Sequence, residues 1–263
     1  MNNSLKLLLL SLLLTSFPQA KAGELHVAVA SNFVAPLTEI SAAFEAATDH
    51  KIVLIPGSTG KHYAQIINGA PFDIFFSADA ERPRLLDDAG LAIADSRYTY
   101  ALGRIVLWSR QGEFIYAGAD ILTTDNFRHL AIANPRLAPY GKAAREILEK
   151  IHQWERLKAK LVQGENISQT FQFVYSGNAE LGFIAHSQLI ALTHDNPGSS
   201  WLVPEDMHTP IAQQAIQLTD SDIARLFLDY AKSPEAQQII LKYGYDLPMS
   251  ISKQADKQAH AKP

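Results

Sequence analysis

The sequence predicts an α/β protein of two lobes with a cleft between them. Three observations carry that reading. Short β-rich apolar runs alternate with amphipathic stretches along most of the chain, the pattern of sheets covered by helices. The alternation falls into two successive units, and two units in about 230 residues suit two lobes. Two amphipathic segments then close the chain, and they need a face of the first unit to pack on.

Residues 1–22 stand apart from the fold. Lys6 precedes an apolar run from Leu7 to Leu14, broken only by Ser11. Ala20-Lys21-Ala22 supplies the small-x-small pattern of a cleavable signal peptide, with the cut expected before Gly23. The run falls short of the about 20 apolar residues of a membrane span. The chain has no cysteine to carry a lipid, so the expected product is a free periplasmic protein. Without disulfides it must rest on its core alone, which a chain of this length can build.

In the first unit, 25–30 (LHVAVA) reads as a buried strand, and Phe33, Leu37, Ile40 and Phe44 share one face of a helix over 33–47. A strand over 51–55 and a helix over 61–68, ended by Gly69 and Pro71, come next. A strand over 73–76 and a polar helix over 80–89, closed by Gly90, complete the unit. Strand-then-helix repetition argues for parallel sheet. The second unit has strands at 104–108, 130–133 and 181–185, with helices over 141–153 and 168–176. Helices over 220–232 and 234–243 follow, the former with Ile223, Leu226, Phe227 and Tyr230 on one stripe. Crossovers near Leu102 and Ala212 give a first lobe of 23–102 with 212–249 and a second of 103–211. Residues 250–263 are polar and lysine-rich, and a disordered tail is expected there.

The formal charge is −4, and it becomes −6 when Lys6 and Lys21 leave with the leader. An acidic chain with no lysine–arginine stripe is a poor nucleic-acid binder. An anionic ligand would have to be held by local dipoles, not by the field of the whole protein.

Four strand-to-helix junctions place small or hydroxyl residues just before a helix: Ser31-Asn32, Gly57-Ser58-Thr59-Gly60, Pro139-Tyr140-Gly141 and Asn166-Ile167-Ser168. The first turn of a helix carries unpaired N–H groups and the positive end of its dipole, which suits an anion without lysine or arginine. The plain alternative is helix capping, the default work of Ser, Thr and Asn at these places. Four such junctions at the carboxyl ends of strands, where α/β sheets bind ligands, favour a site. Tyr140 does little for capping; its plain alternative is core packing with the hydroxyl at the surface.

Other chemistries find less support. GSTGK is no P-loop, because Ile55 stands where the first glycine belongs and His62 where Ser or Thr should hold magnesium. The nine histidines are scattered without ligand spacing, so no metal site is expected. His62 lies beside the Gly57–Gly60 loop and could approach a ligand, although an exposed position is the expectation. Asp73 and Asp79 read as salt-bridge or capping residues. A secreted hydrolase using His62 with Ser58 or Thr59 is the remote alternative, and no G-x-S-x-G elbow supports it.

At the four junctions the sequence resembles the periplasmic molybdate-binding proteins. The resemblance runs from AVASNF (28–33) to KYGYDLP (242–248), and is most telling in PGSTGKHYAQIINGAPFDIFFSADAERP, NPRLAPYGKAA and GNAELGF. It implies the type II periplasmic binding protein fold. It also implies a monomeric receptor, without cofactor, catalysis or bare metal ion, that delivers molybdate or tungstate to an ABC permease in the inner membrane. The implied oxyanion donors are Ser31 through hydroxyl and backbone N–H, Asn32 through its amide, Thr59 at the family's usual serine, Tyr140 in APYG, and the Ile167 N–H. Ser58 is a possible further member of the shell. Many members carry a ligand tyrosine where this chain has Ala185, and Asn32 and Tyr140 are the expected compensation. The nearer alternative is the same fold around sulfate or phosphate. A protonated phosphate would call for a carboxylate acceptor, and the junctions hold none.

Overall fold

The computed structural model describes residues 22–192 and 198–248. The expected leader, apart from Ala22, and the expected tail lie outside the described residues. In lobe 1, β1 (Glu24–Ala30) passes through a 3-10 turn (Ser31–Phe33) straight into α1 (Val34–Thr48). Next come β2 (Lys51–Gly57), α2 (Thr59–Ile67), β3 (Ile74–Ser77), α3 (Glu81–Asp88) and β4 (Tyr98–Gly103). Through Arg104 the chain enters lobe 2, with β5 (Ile105–Ser109), β6 (Leu130–Ala133), α4 (Pro139–Lys150), α5 (Trp154–Leu157) and β7 (Leu161–Gly164). There follow α6 (Ile167–Tyr175), β8 (Leu181–Ala185), α7 (His186–Ile190) and β9 (Ser199–Leu202). The chain returns to lobe 1 in β10 (Ile211–Gln217) and ends in α8 (Asp222–Ala231) and α9 (Pro234–Lys242).

Each lobe holds one five-stranded sheet, ordered β2-β1-β3-β10-β4 and β7-β6-β8-β5-β9. The expected parallel pairing holds for β1 with β2 and β3, and for β6 with β7 and β8. Both sheets are mixed, however. β10 runs antiparallel to β3 and β4, and β5 antiparallel to β8 and β9. The physical reason lies in the two crossings: β4 leads out of lobe 1 and β10 leads back, so neighbours there must point in opposite directions. Ile211 pairs with Gly103, which sets the two crossings side by side.

β1 shows why these residues make this strand. Leu25, Val27 and Val29 face a core with Phe33, Leu37, Ile40 and Phe44, while Ala28 faces Ile66, Phe75 and Leu86 on the other side. Period-two alternation with both faces buried is the mark of a central strand. Each large apolar side chain so buried contributes about 1.5–3 kcal/mol. Phe227 of α8 and Ile240 of α9 join the same core, so the C-terminal helices pack on lobe 1. The lobes also touch: Ala30 and Ala78 of lobe 1 share a cluster with Ile105, Tyr140 and Ile167 of lobe 2.

Candidate functional site

Four helix starts meet at one small cavity between the lobes. Ser31 and Asn32 after β1, Ser58 and Thr59 after β2, Tyr140 at the start of α4 and Ile167 at the start of α6 all line it. The structure therefore brings together all six residues singled out from the sequence. None is more than 8% exposed. The cavity volume is about 10 Å³, far below the about 300–1,000 Å³ of sites for drug-sized molecules. No charged side chain lines it among the described residues.

The donors can be counted from the helix ends. At α6, the Gln169 N–H goes to Asn166 Oδ1 (3.0 Å), Thr170 to Asn166 O (3.2 Å) and Ser168 to Ser31 Oγ (3.4 Å). Ile167 is left with an N–H that no protein group takes among the described residues. At α4, Pro139 has no N–H to satisfy, and Gly141 and Lys142 both bond to Ala138 O (2.9 and 3.1 Å). The Tyr140 N–H is what remains. At α2, Gly60 donates across the cleft to Leu137 O (2.8 Å) and His62 to Ser58 O (3.0 Å), which leaves the Thr59 and Lys61 N–H groups among the described residues.

The hydroxyls complete the set. Thr59 Oγ1 accepts from the Ala78 N–H (3.0 Å), so its own proton is free to donate. Ser58 occupies the N-cap position of α2 without making a side-chain cap bond, and its buried Oγ has no partner. Asn166 does cap its helix. Capping therefore explains one junction and leaves the others with donors to spare. A cavity with this lining suits a small anion that carries no proton of its own.

The sequence profile of the bacterial extracellular solute-binding proteins matches residues 25–246. The chain belongs to this family. The molybdate-binding protein ModA of Azotobacter vinelandii is 46% identical over 231 residues, covering 87% of this chain and 92% of that protein. ModA of Rhodobacter capsulatus is 45% identical over 229 residues, covering 86% and 89%. The solved periplasmic molybdate-binding protein of Azotobacter vinelandii superposes with a TM-score of 0.82 at 38% identity, over 86% of this chain and all of that one.

In this solute-binding protein the polar ends of Asn32 and Tyr140 point into a buried network. Asn32 Nδ2 donates to Gln213 Oε1 (2.8 Å) and to the Tyr245 hydroxyl (3.0 Å), and Gln213 Nε2 donates to the Tyr140 hydroxyl (3.2 Å). Burial pushes the Tyr140 and Tyr100 hydroxyls well above the ordinary tyrosine value and Tyr245 up to about 12. The network is therefore neutral and protonated. Gln213 and Tyr245 were not among the sequence candidates. The available signal was a glutamine pair, Gln213-Gln214, inside an otherwise apolar stretch.

His62 departs from expectation. It is 2% exposed, with Nε2 3.3 Å from Val29 O and Nδ1 3.2 Å from Gln65 Oε1. The missing side chain of Gly57 admits its ring, since a Cβ there would lie 2.6 Å from Nε2. Ser58 Oγ has no partner among the described residues, so Ser58 and His62 form no pair that could activate a nucleophile. Asp79 accepts from the side chain and backbone of Arg82, and Asp73 from the His26 N–H, structural work as expected.

Proposed function

We propose that this solute-binding protein captures molybdate or tungstate in the periplasm and delivers it to the permease of an ABC importer. The observation that carries the reading is the convergence of unpaired helix-start N–H groups and free hydroxyls on a cavity with no charged side chain. A dianion leaves water for such a place only if it is fully hydrogen-bonded there. Charge-assisted bonds from N–H and O–H groups supply that compensation. The proposed shell is the Ser31, Ser58 and Thr59 hydroxyls, with the Thr59, Tyr140 and Ile167 backbone N–H groups. Asn32 takes part through its backbone N–H, its side-chain amide being held by Gln213 and Tyr245. The names of the relatives at 46% and 45% identity favour molybdate.

On this reading lobe 1 comprises 23–102 with 212–249 and lobe 2 comprises 103–211, closing as a monomer about β4 and β10. No cofactor or bare metal ion takes part, and the ligand is released unchanged. Phosphate fits poorly, because its remaining proton would find no carboxylate among the lining residues.

Titration calorimetry on the chain from Gly23 with molybdate, tungstate, sulfate and phosphate tests the proposal. Tight binding of the first two is expected, with sulfate much weaker and phosphate silent. At a hundredfold excess over Kd the bound anion adds about 2.7 kcal/mol to stability, so melting curves should move by several degrees. Binding that favours sulfate, or no binding of either group-six anion, overturns it.

A further inference from the structure

The geometry points to Gln213 as a positioning residue that fixes the separation between the two halves of the oxyanion site, and so sets which size of anion the site prefers. This rests on the oxyanion reading above but concerns a side chain that does not line the cavity.

Gln213 sits fully buried on β10, the strand that returns from lobe 2 to lobe 1. Its one amide touches both halves of the site. Oε1 accepts from Asn32 Nδ2 (2.8 Å), beside the donors that follow β1 in lobe 1. Nε2 donates to the Tyr140 hydroxyl (3.2 Å), on the ring whose backbone N–H opens α4 in lobe 2. The Tyr100 hydroxyl, 3.0 Å from Oε1 and 3.1 Å from Ser77 O, holds the amide in this orientation. Asn32 is fixed further: its carbonyl accepts from Tyr245 (2.7 Å) and from Ser187 of α7 in lobe 2 (2.9 Å). Both donor-bearing segments are thus clamped by neutral bonds in a low-dielectric interior.

Gly103 makes the close approach possible. A Cβ built there would lie 2.4 Å from the Tyr140 hydroxyl oxygen and 2.6 Å from Gln213 Nε2. Tyr140 can reach the crossing at Gly103 only because that side chain is absent. Tetrahedral oxyanions of equal charge differ chiefly in the length of their bonds to oxygen. Charge-assisted hydrogen bonds work best over a narrow range of about 2.7–2.9 Å. A shell held at fixed spacing therefore discriminates by size, and a slackened one does not.

Two variants, Gln213→Met and Gly103→Ala, test this by calorimetry with molybdate and with sulfate, beside circular dichroism and melting. Gln213→Met removes the whole clamp at similar volume. Gly103→Ala keeps every polar group and wedges Tyr140 away. In each, affinity for the anion that the wild type prefers (molybdate on the reading above) should fall about tenfold or more and affinity for the other should fall less, so that the ratio between the two shrinks. A merely structural network would lower both affinities alike, or lower only the melting temperature. Either pattern in folded variants, or a wild-type ratio in both, overturns the assignment. If Gln213→Met does not fold, Gly103→Ala decides by the same ratio. The wild-type titration judges the choice of ligand, whereas the change of ratio from wild type to variant judges the positioning role, whichever anion the wild type prefers.

Discussion

Ser58 shows how a residue can look like one thing in sequence and do another in the fold. It precedes a helix, as capping serines do, yet its hydroxyl caps nothing and meets no partner in the interior. A buried, unpaired hydroxyl costs the folded protein about 1–3 kcal/mol. Ser58→Ala should therefore leave the melting temperature of the ligand-free protein unchanged or raise it. The same change removes a donor to a charged ligand, worth about 1.5–3 kcal/mol, or roughly tenfold or more in affinity. Calorimetry and melting on one variant check both signs, and a loss of stability without a loss of affinity would return Ser58 to a structural role. The type and place of each candidate-site residue were legible in the sequence, because small or hydroxyl residues stood at four helix starts that line one cavity. What was not legible is the direction of each group. Asn166 caps and Ser58 does not, and the side chains of Asn32 and Tyr140 turn to partners 73 to 213 residues away.

Elements read most clearly where one period ran uninterrupted. β6 and β8 are short apolar runs and match expectation to the residue, and α1 shows its apolar stripe. The crossing strands β4 and β10 were not read as strands. In β10 the buried positions include Gln213 and Gln217, which break the apolar alternation because they serve polar networks. α2 begins two residues earlier than the apolar pattern suggests, since its first turn, Thr59-Gly60, carries no large apolar side chain. The same helix is fastened to β1 by His62, and that fastening titrates. Burial holds the ring below the ordinary histidine value, and burial lowers His186 likewise. Below about pH 6.5 the unfolded chain thus binds protons more readily than the folded one, and stability rises with pH. This contribution is fully present above that value and is lost as pH falls through the folded-state value. Glu39, held low by Lys242, and Glu45, held low by the Ile52 N–H, act only at more acid pH. Melting temperatures should therefore drop between pH 7 and pH 5.5, and less so in His62→Gln. An equal drop in that variant would assign the effect elsewhere.

The charge of the molecule and the neutrality of its cavity pull in different directions, and the difference is measurable. The chain carries a formal charge of −4, so at long range it repels a dianion. Lys61, two residues after Thr59, is paired across the lobes with Glu165 at 2.8 Å and offers little net attraction. Salt shortens the reach of the repulsion to about 8 Å at physiological ionic strength. The bonds inside the closed cavity are screened far less. Raising salt from low to physiological levels should therefore increase the association rate slightly and leave the dissociation rate nearly unchanged. Affinity measured across that range should stay flat or improve. A receptor that gathered its anion with exposed lysines and arginines would show the reverse, a steep loss of affinity as the steering field is screened. Rapid-mixing kinetics at three ionic strengths distinguish the two, and a falling association rate would mean that the anion is drawn in by a basic surface outside the four helix starts.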